Sequence, residues 1–192
     1  MTVRLAACMA FVAAAGFAPG ADAAGGPAKG QPVAGCTVSD AIDWAPVKGA
    51  PYRAEAHANG PGKCEDAAVT LVLRAPGGKA LWVDARPASD VMTFAGVGTR
   101  SAMQRALREW LSQEHDYKTT SDLPEWKEGA DAPMSGEFPF YPDEGMDRDA
   151  YEEMRGEKSP VFCFVQGMES MACLALAKDG GISKIGLQLF PG

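Results

Sequence analysis

Between residues 101 and 114 the apolar positions Met103, Ala106, Leu107, Trp110 and Leu111 recur at helical spacing. Gln104, Arg105, Arg108, Glu109 and Ser112 fill the opposite side, so the pattern predicts a helix with one face laid on a core. Ser101 followed by Gln104 has the form of a capping box. Residues 69–74 and 80–85 are short β-branched and aromatic runs joined by Ala75-Pro76-Gly77-Gly78. Pro and Gly at the two central positions of that quartet are what a type II turn requires, so the segment predicts a hairpin. Alternation places Leu71, Leu73 and Trp82 on one face and Val72, Leu81 and Val83 on the other. Apolar residues on both faces predict central strands. Residues 52–58 form a further candidate strand ahead of the turn-rich Asn59-Gly60-Pro61-Gly62.

The C-terminal third predicts a three-stranded meander whose register follows from its turns. Asp179-Gly180 reads as a two-residue hairpin loop, pairing Leu176 with Ser183, Leu174 with Ile185 and Ala172 with Leu187. Ile185, Leu187 and Leu189 then share a face with Leu174 and Leu176. In the preceding turn, an odd loop centred on Met168 pairs Phe162 with Leu174 and Phe164 with Ala172. It puts both phenylalanines on the apolar face and sets Cys163 directly opposite Cys173, whereas an even loop would scatter them. Residues opposed in this way lie about 4.5–5.5 Å apart at Cα, within reach of a disulfide.

Antiparallel strands before and after one main amphipathic helix, with no repeated βαβ rhythm, predict an α+β domain over residues 36–192. Ahead of it, residues 1–23 have the form of a secretory signal. Arg4 supplies the positive end, residues 5–17 an apolar run too short to span a bilayer, and Ala21-Asp22-Ala23 a small-x-small cleavage site. Residues 24–35 are a flexible Gly-, Ala- and Pro-rich lead-in, and no transmembrane anchor is expected after cleavage. Cleavage would leave Cys36, Cys64, Cys163 and Cys173, an even set in an oxidising compartment, hence two disulfides. Three pairings are open to four cysteines. The meander register selects Cys163–Cys173, and Cys36–Cys64 follows by elimination.

Composition changes the picture mainly by exclusion. With 46% apolar and 22% charged residues the chain is ordinary for a globular protein. A net charge of -7 argues against nucleic-acid binding, which calls for a basic face. No phosphate-cradling glycine loop, zinc-protease motif or nucleophile elbow is present. His57 and His115 are the only histidines, each placed where surface histidines are common. No metal or cofactor is expected.

The segment 122–155 stands apart. It holds 11 acidic residues against Lys127, Arg148 and Arg155, together with Trp126, Phe138, Phe140, Tyr141 and Tyr151, and it is broken by Pro124, Pro133, Pro139 and Pro142. Aromatic residues are unusual in a disordered acidic tract. One reading folds these rings back onto the core. The other makes Trp126, Phe138, Phe140, Tyr141, Asp143, Glu144, Asp147 and Asp149 a binding face for a cationic protein or envelope component. Calcium ligation by Asp143, Asp147, Asp149 and Glu153 fails the EF-hand pattern, because Arg148 stands at the glycine position and Met154 at the twelfth. Residues 147–155 also suit a short helix. These features predict an exported envelope or periplasmic binding or accessory protein. The alternative is a small secreted hydrolase with a carboxylate site between the main helix and 122–155.

Overall fold

Small residues shape the first sheet. Strand β2 (Tyr52–Gly60) turns Ala54, Ala56 and Ala58 inward, all fully buried, and Arg53, Glu55 and His57 outward. It pairs antiparallel with β1 (Cys36–Trp44) and β3 (Ala68–Arg74), and β4 (Ala80–Pro87) completes the order β1-β2-β3-β4. The structure, a computed structural model, describes residues 35–45, 51–112 and 117–190. The export signal, the lead-in as far as residue 34, and His115 lie outside them.

Helix α1 (Arg100–Ser112) packs on β1 and β2, where methyl side chains let its backbone approach closely. Its predicted stripe of Met103, Ala106, Leu107, Trp110 and Leu111 is buried. The cap is Thr99, not Ser101: the Thr99 hydroxyl accepts from the Ala102 N–H at 3.2 Å. Gln104 is therefore free to donate to the Ser39 carbonyl at 2.8 Å, and Arg100 reaches that of Thr37 at 3.1 Å. Both bonds tie the helix to the outer strand β1.

The β3–β4 faces fall as the alternation requires, with Leu73 opposite Trp82 and Val72 opposite Val83. β3 is central, but β4 is the sheet's outer strand, where Val83 is 59% exposed. Apolar residues on both faces mark a central strand only where the second face is covered as well; Val72 in β3 is buried, but Val83 opposite it in β4 is not. The turn also departs from type II. Left-handed φ belongs to Gly78 (+84°) rather than Gly77, and Ala75 N–H bonds the Lys79 carbonyl around a three-residue loop.

The second sheet has the order β5-β6-β9-β8-β7, from β5 (Met134–Ser135), β6 (Phe138–Pro142), β7 (Val161–Val165), β8 (Ser170–Leu176) and β9 (Ile182–Leu189). Phe162 faces Leu174, Phe164 faces Ala172 and Cys163 faces Cys173, in the predicted register. Both disulfides are formed, Cys163–Cys173 and Cys36–Cys64.

The β8–β9 register is corrected near its turn. Ala177 N–H bonds the Gly181 carbonyl, so the loop holds three residues with Gly180 at φ +85°, the same solution as at Gly78. Leu176 then faces Ile182 and Leu174 faces Lys184, one position off the two-residue prediction. A bulge adds Ile185 to β9 and restores Ala172 opposite Leu187. Because of that extra residue Ile185 turns to the opposite face from Leu187.

Two cores result, one on each face of the second sheet. The first joins the inner face of β1–β4 and α1 to Phe162, Phe164, Ala172, Leu174 and Leu176. Two indoles bind this layer to β7: Trp44 donates to the Val161 carbonyl at 3.2 Å and Trp110 to that of Val165 at 2.7 Å. They occupy acceptors that an outer strand would otherwise leave open. The second core gathers Tyr117, Leu123, Phe140, Tyr151, Met171, Ile185 and the Cys163–Cys173 bridge, and the acidic segment covers it.

Candidate functional site

The acidic segment is ordered around one buried ring. Helix α2 (Arg148–Gly156) begins at Asp147, whose side chain accepts from the Ala150 N–H at 2.9 Å as an N-cap. It carries Tyr151 into the second core, fully buried, with its hydroxyl donating to the Pro124 carbonyl at 2.8 Å. Burial raises the ionisation of that hydroxyl far above its ordinary range, so it stays a donor. Its ring lies 6.0 Å from Phe140 and 5.8 Å from Trp126 between centroids.

The same helix pins residues 123–126 through polar bonds. Glu152 accepts from the Trp126 N–H at 2.8 Å and pairs with Arg155, which donates to the Leu123 carbonyl at 3.0 Å. Arg148 bonds the Trp126 carbonyl at 3.1 Å. Trp126 is consequently half-buried, its indole closing on the Ala130 carbonyl at 2.8 Å.

The predicted binding residues therefore separate. Phe140 is fully buried and supports the fold from within, while Trp126 caps the core. Phe138 and Tyr141 face solvent, 40% and 47% exposed. β6 holds them in place, and the buried Gln188 fastens that strand by donating to the Phe138 carbonyl at 2.9 Å while accepting from the Tyr117 hydroxyl at 2.7 Å. Opposed strand residues point to one side, so Tyr141 shares a face with Leu187, its partner in β9. Met134, opposite Pro139, joins that side and is 49% exposed. Phe138 lies on the other side against Phe190, with centroids 5.9 Å apart. Met134 and Phe190 were missed from sequence because only the cross-strand register places them beside the aromatic residues.

Among the carboxylates, Asp143 is paired with Lys184 at 2.8 Å and Asp147 is committed to its cap. Glu144 and Asp149 are exposed and bond nothing among the described residues. Thr119 and Lys118 N–H groups hold Asp122 below its ordinary pKa. For Glu152 and Asp40 burial opposes ionisation, but hydrogen bonds outweigh it: from the Trp126 N–H and Arg155 to Glu152, and from the Ala41 N–H, Arg108 and Gln104 to Asp40. Arg74 draws Glu55 down. All four are held ionised, whereas glycoside hydrolysis needs one carboxyl kept protonated. α1 belongs to the first core and 122–155 to the second, with the second sheet between them. Among the described residues no group of three or more His, Cys, Asp or Glu is placed to hold a metal. No protein-family model, curated protein or solved structure matches the chain.

Proposed function

We propose that the chain is an exported binding or accessory module that takes a cationic protein or envelope component on the edge formed by β5 and β6. The observation that carries this reading is the exposure of Phe138, Tyr141 and Met134 on strands within a segment of charge -8. Aromatic rings held rigidly at a sheet edge lose little entropy on binding, and they supply contact area. The surrounding carboxylates draw in a positive partner and set the rate of encounter. The two disulfides support passage through an oxidising compartment, with residues 1–23 as the export signal and cleavage after Ala23.

A fluorescent lysine-rich peptide is a direct probe. It binds the mature chain at low salt, and its affinity falls as salt screens fields beyond about 8–10 Å. Tyr141→Ala or Phe138→Ala weakens capture by about tenfold, mainly through faster dissociation. Joint replacement of Glu144 and Asp149 by Gln and Asn slows association instead. Binding that ignores both the aromatic and the acidic changes would refute the reading.

A further inference from the structure

The outer face of the first sheet holds a charged cavity that the acidic segment does not touch. Cross-strand pairing brings Asp43, Arg53 and Arg74 into one row, and Glu55 lies two positions along β2 on the same face. Two arginines side by side repel. Glu55 relieves this by accepting from Arg74 Nε at 2.8 Å and lying 3.5 Å from Arg53 Nε. With the β3–β4 turn these side chains line an open depression of about 430 Å³, and Pro51, Ala75 and Pro76 supply its apolar wall.

The donors are only partly used. Arg74 spends Nε on Glu55 and Nη1 on the Gly78 carbonyl at 3.1 Å, which leaves Nη2 without a partner among the described residues. Both terminal nitrogens of Arg53 are equally uncommitted. Asp43 makes no ion pair with Arg53 among the described residues, although it stands opposite. Two oriented guanidinium groups with free N–H donors thus line a cavity within the size range of small-molecule sites, about 300–1,000 Å³.

We propose that this cavity is a binding site for a small monocarboxylate with an apolar body. Guanidinium edges match a carboxylate in geometry and charge. Arg53 and Arg74 are matched by Glu55 and Asp43, so the lining carries no net charge. Attraction for a carboxylate comes from the uncommitted guanidinium N–H donors, and each further charge on an anion adds repulsion from the two carboxylates. The proline wall seats the apolar part. Glu55 acts as a positioning residue, fixing Arg74 through its Nε and lying 3.5 Å from Arg53 Nε.

Benzoate tests this by NMR titration of backbone amides, with benzamide as its uncharged counterpart and inorganic phosphate as the competing anion. Benzoate should shift amides at residues 53–55 and 74–78, while benzamide and phosphate each bind at least about tenfold more weakly. Arg53→Gln, at a half-exposed side chain, should weaken benzoate by about tenfold, and Arg74→Lys should do the same although the charge is kept. Tyr141→Ala should change nothing at this site, which separates it from the acidic edge. No shifts at about 10 mM benzoate, phosphate binding as tightly as benzoate, or an unchanged affinity in Arg53→Gln would each overturn the proposal.

Discussion

The two cores hold their layers together by different means. The first interlocks residues from both sheets and α1, so each element is buried by elements far away in the chain. The second is smaller and consists largely of rings, sulfur and one bulge residue. Its cover is attached by a few polar bonds: the Tyr151 hydroxyl and Arg155 donate to the Pro124 and Leu123 carbonyls, and Glu152 accepts from the Trp126 N–H. Cooperative burial makes the first core the last part to open, and the cover of the second belongs to the low-stability end of the molecule. Of the solvent-facing rings, Phe138 sits on that second side of the sheet beside Phe190, where a modest change in local order alters what a partner meets.

Tyr151→Ala breaks the comparison most severely. The substitution empties a fully buried site between Phe140 and Trp126 and leaves the Pro124 carbonyl without its donor. A loss of about 3–5 kcal/mol is expected. Amide exchange should accelerate first over residues 122–156 while β2, β3 and α1 stay protected. Equal acceleration throughout would mean that the two cores open as one unit.

The disulfides offer a second contrast. Their sequence separations are 28 for Cys36–Cys64 and 10 for Cys163–Cys173. Loop entropy alone assigns them about 3.6 and about 2.7 kcal/mol. Replacing Cys36 and Cys64 by Ala should therefore lower stability more than replacing Cys163 and Cys173, as read by denaturant midpoints. The reverse order would show that the second core depends on its bridge for packing, beyond what chain closure supplies.

The same division governs what could be read from the chain. β7 and β8 were legible because two independent patterns, the Phe pair and the Cys pair, demand one register. The stripe of α1 was legible because a period of five apolar positions is long enough to stand alone. The β8–β9 turn was misread because a glycine after Asp suits either a two-residue loop or the left-handed end of a three-residue one. The compensating bulge at Ile185 leaves no local mark, although Gly186 beside it lies against the Phe140 ring. A Cβ on Gly186 would meet that ring at 2.6 Å. β5 is only two residues long and β6 carries two prolines, so tertiary contacts rather than local pattern make them strands. The aromatic residues of 122–155 were visible as a group, but which would face water depended on strand alternation the sequence does not announce. The Arg53–Arg74 row was hidden for the same reason.

Acid titration probes both halves. Ordinary values are 3.8 for Asp40 and Asp122 and 4.5 for Glu55 and Glu152, and all four lie lower in the folded chain. A depressed carboxyl contributes stability that is complete above its ordinary value and is lost as pH falls through the folded value. The melting temperature should thus be insensitive to these groups from neutral pH to about 5 and decline below it. Asp122→Asn with Glu152→Gln removes the pair that serves the second core. The variant should be less stable at pH 7 and show a shallower acid limb. An acid limb as steep as the parent's would place the sensitivity in Asp40 and Glu55.

The smallest effect concerns three tryptophans that border the first core. Trp44 and Trp110 each donate to a carbonyl of β7, while the indole N–H of Trp82 is buried without a partner among the described residues. An unmet buried donor costs about 1–3 kcal/mol, whereas a satisfied one contributes about 0.5–1.5 kcal/mol. Phenylalanine keeps an aromatic ring but removes the N–H, so the three substitutions differ mainly in that group. Trp110→Phe and Trp44→Phe should each lose about 1–3 kcal/mol, because a strand carbonyl is left open as well as contact area lost. In Trp82→Phe the relief of the orphan donor offsets the lost area, and the net change should stay within about 1 kcal/mol of zero. Parallel denaturant curves read all three. A Trp82→Phe loss as large as that of Trp110→Phe would mean that this indole finds a partner in solution, and that the outer strand β4 is tied to something as firmly as β7 is.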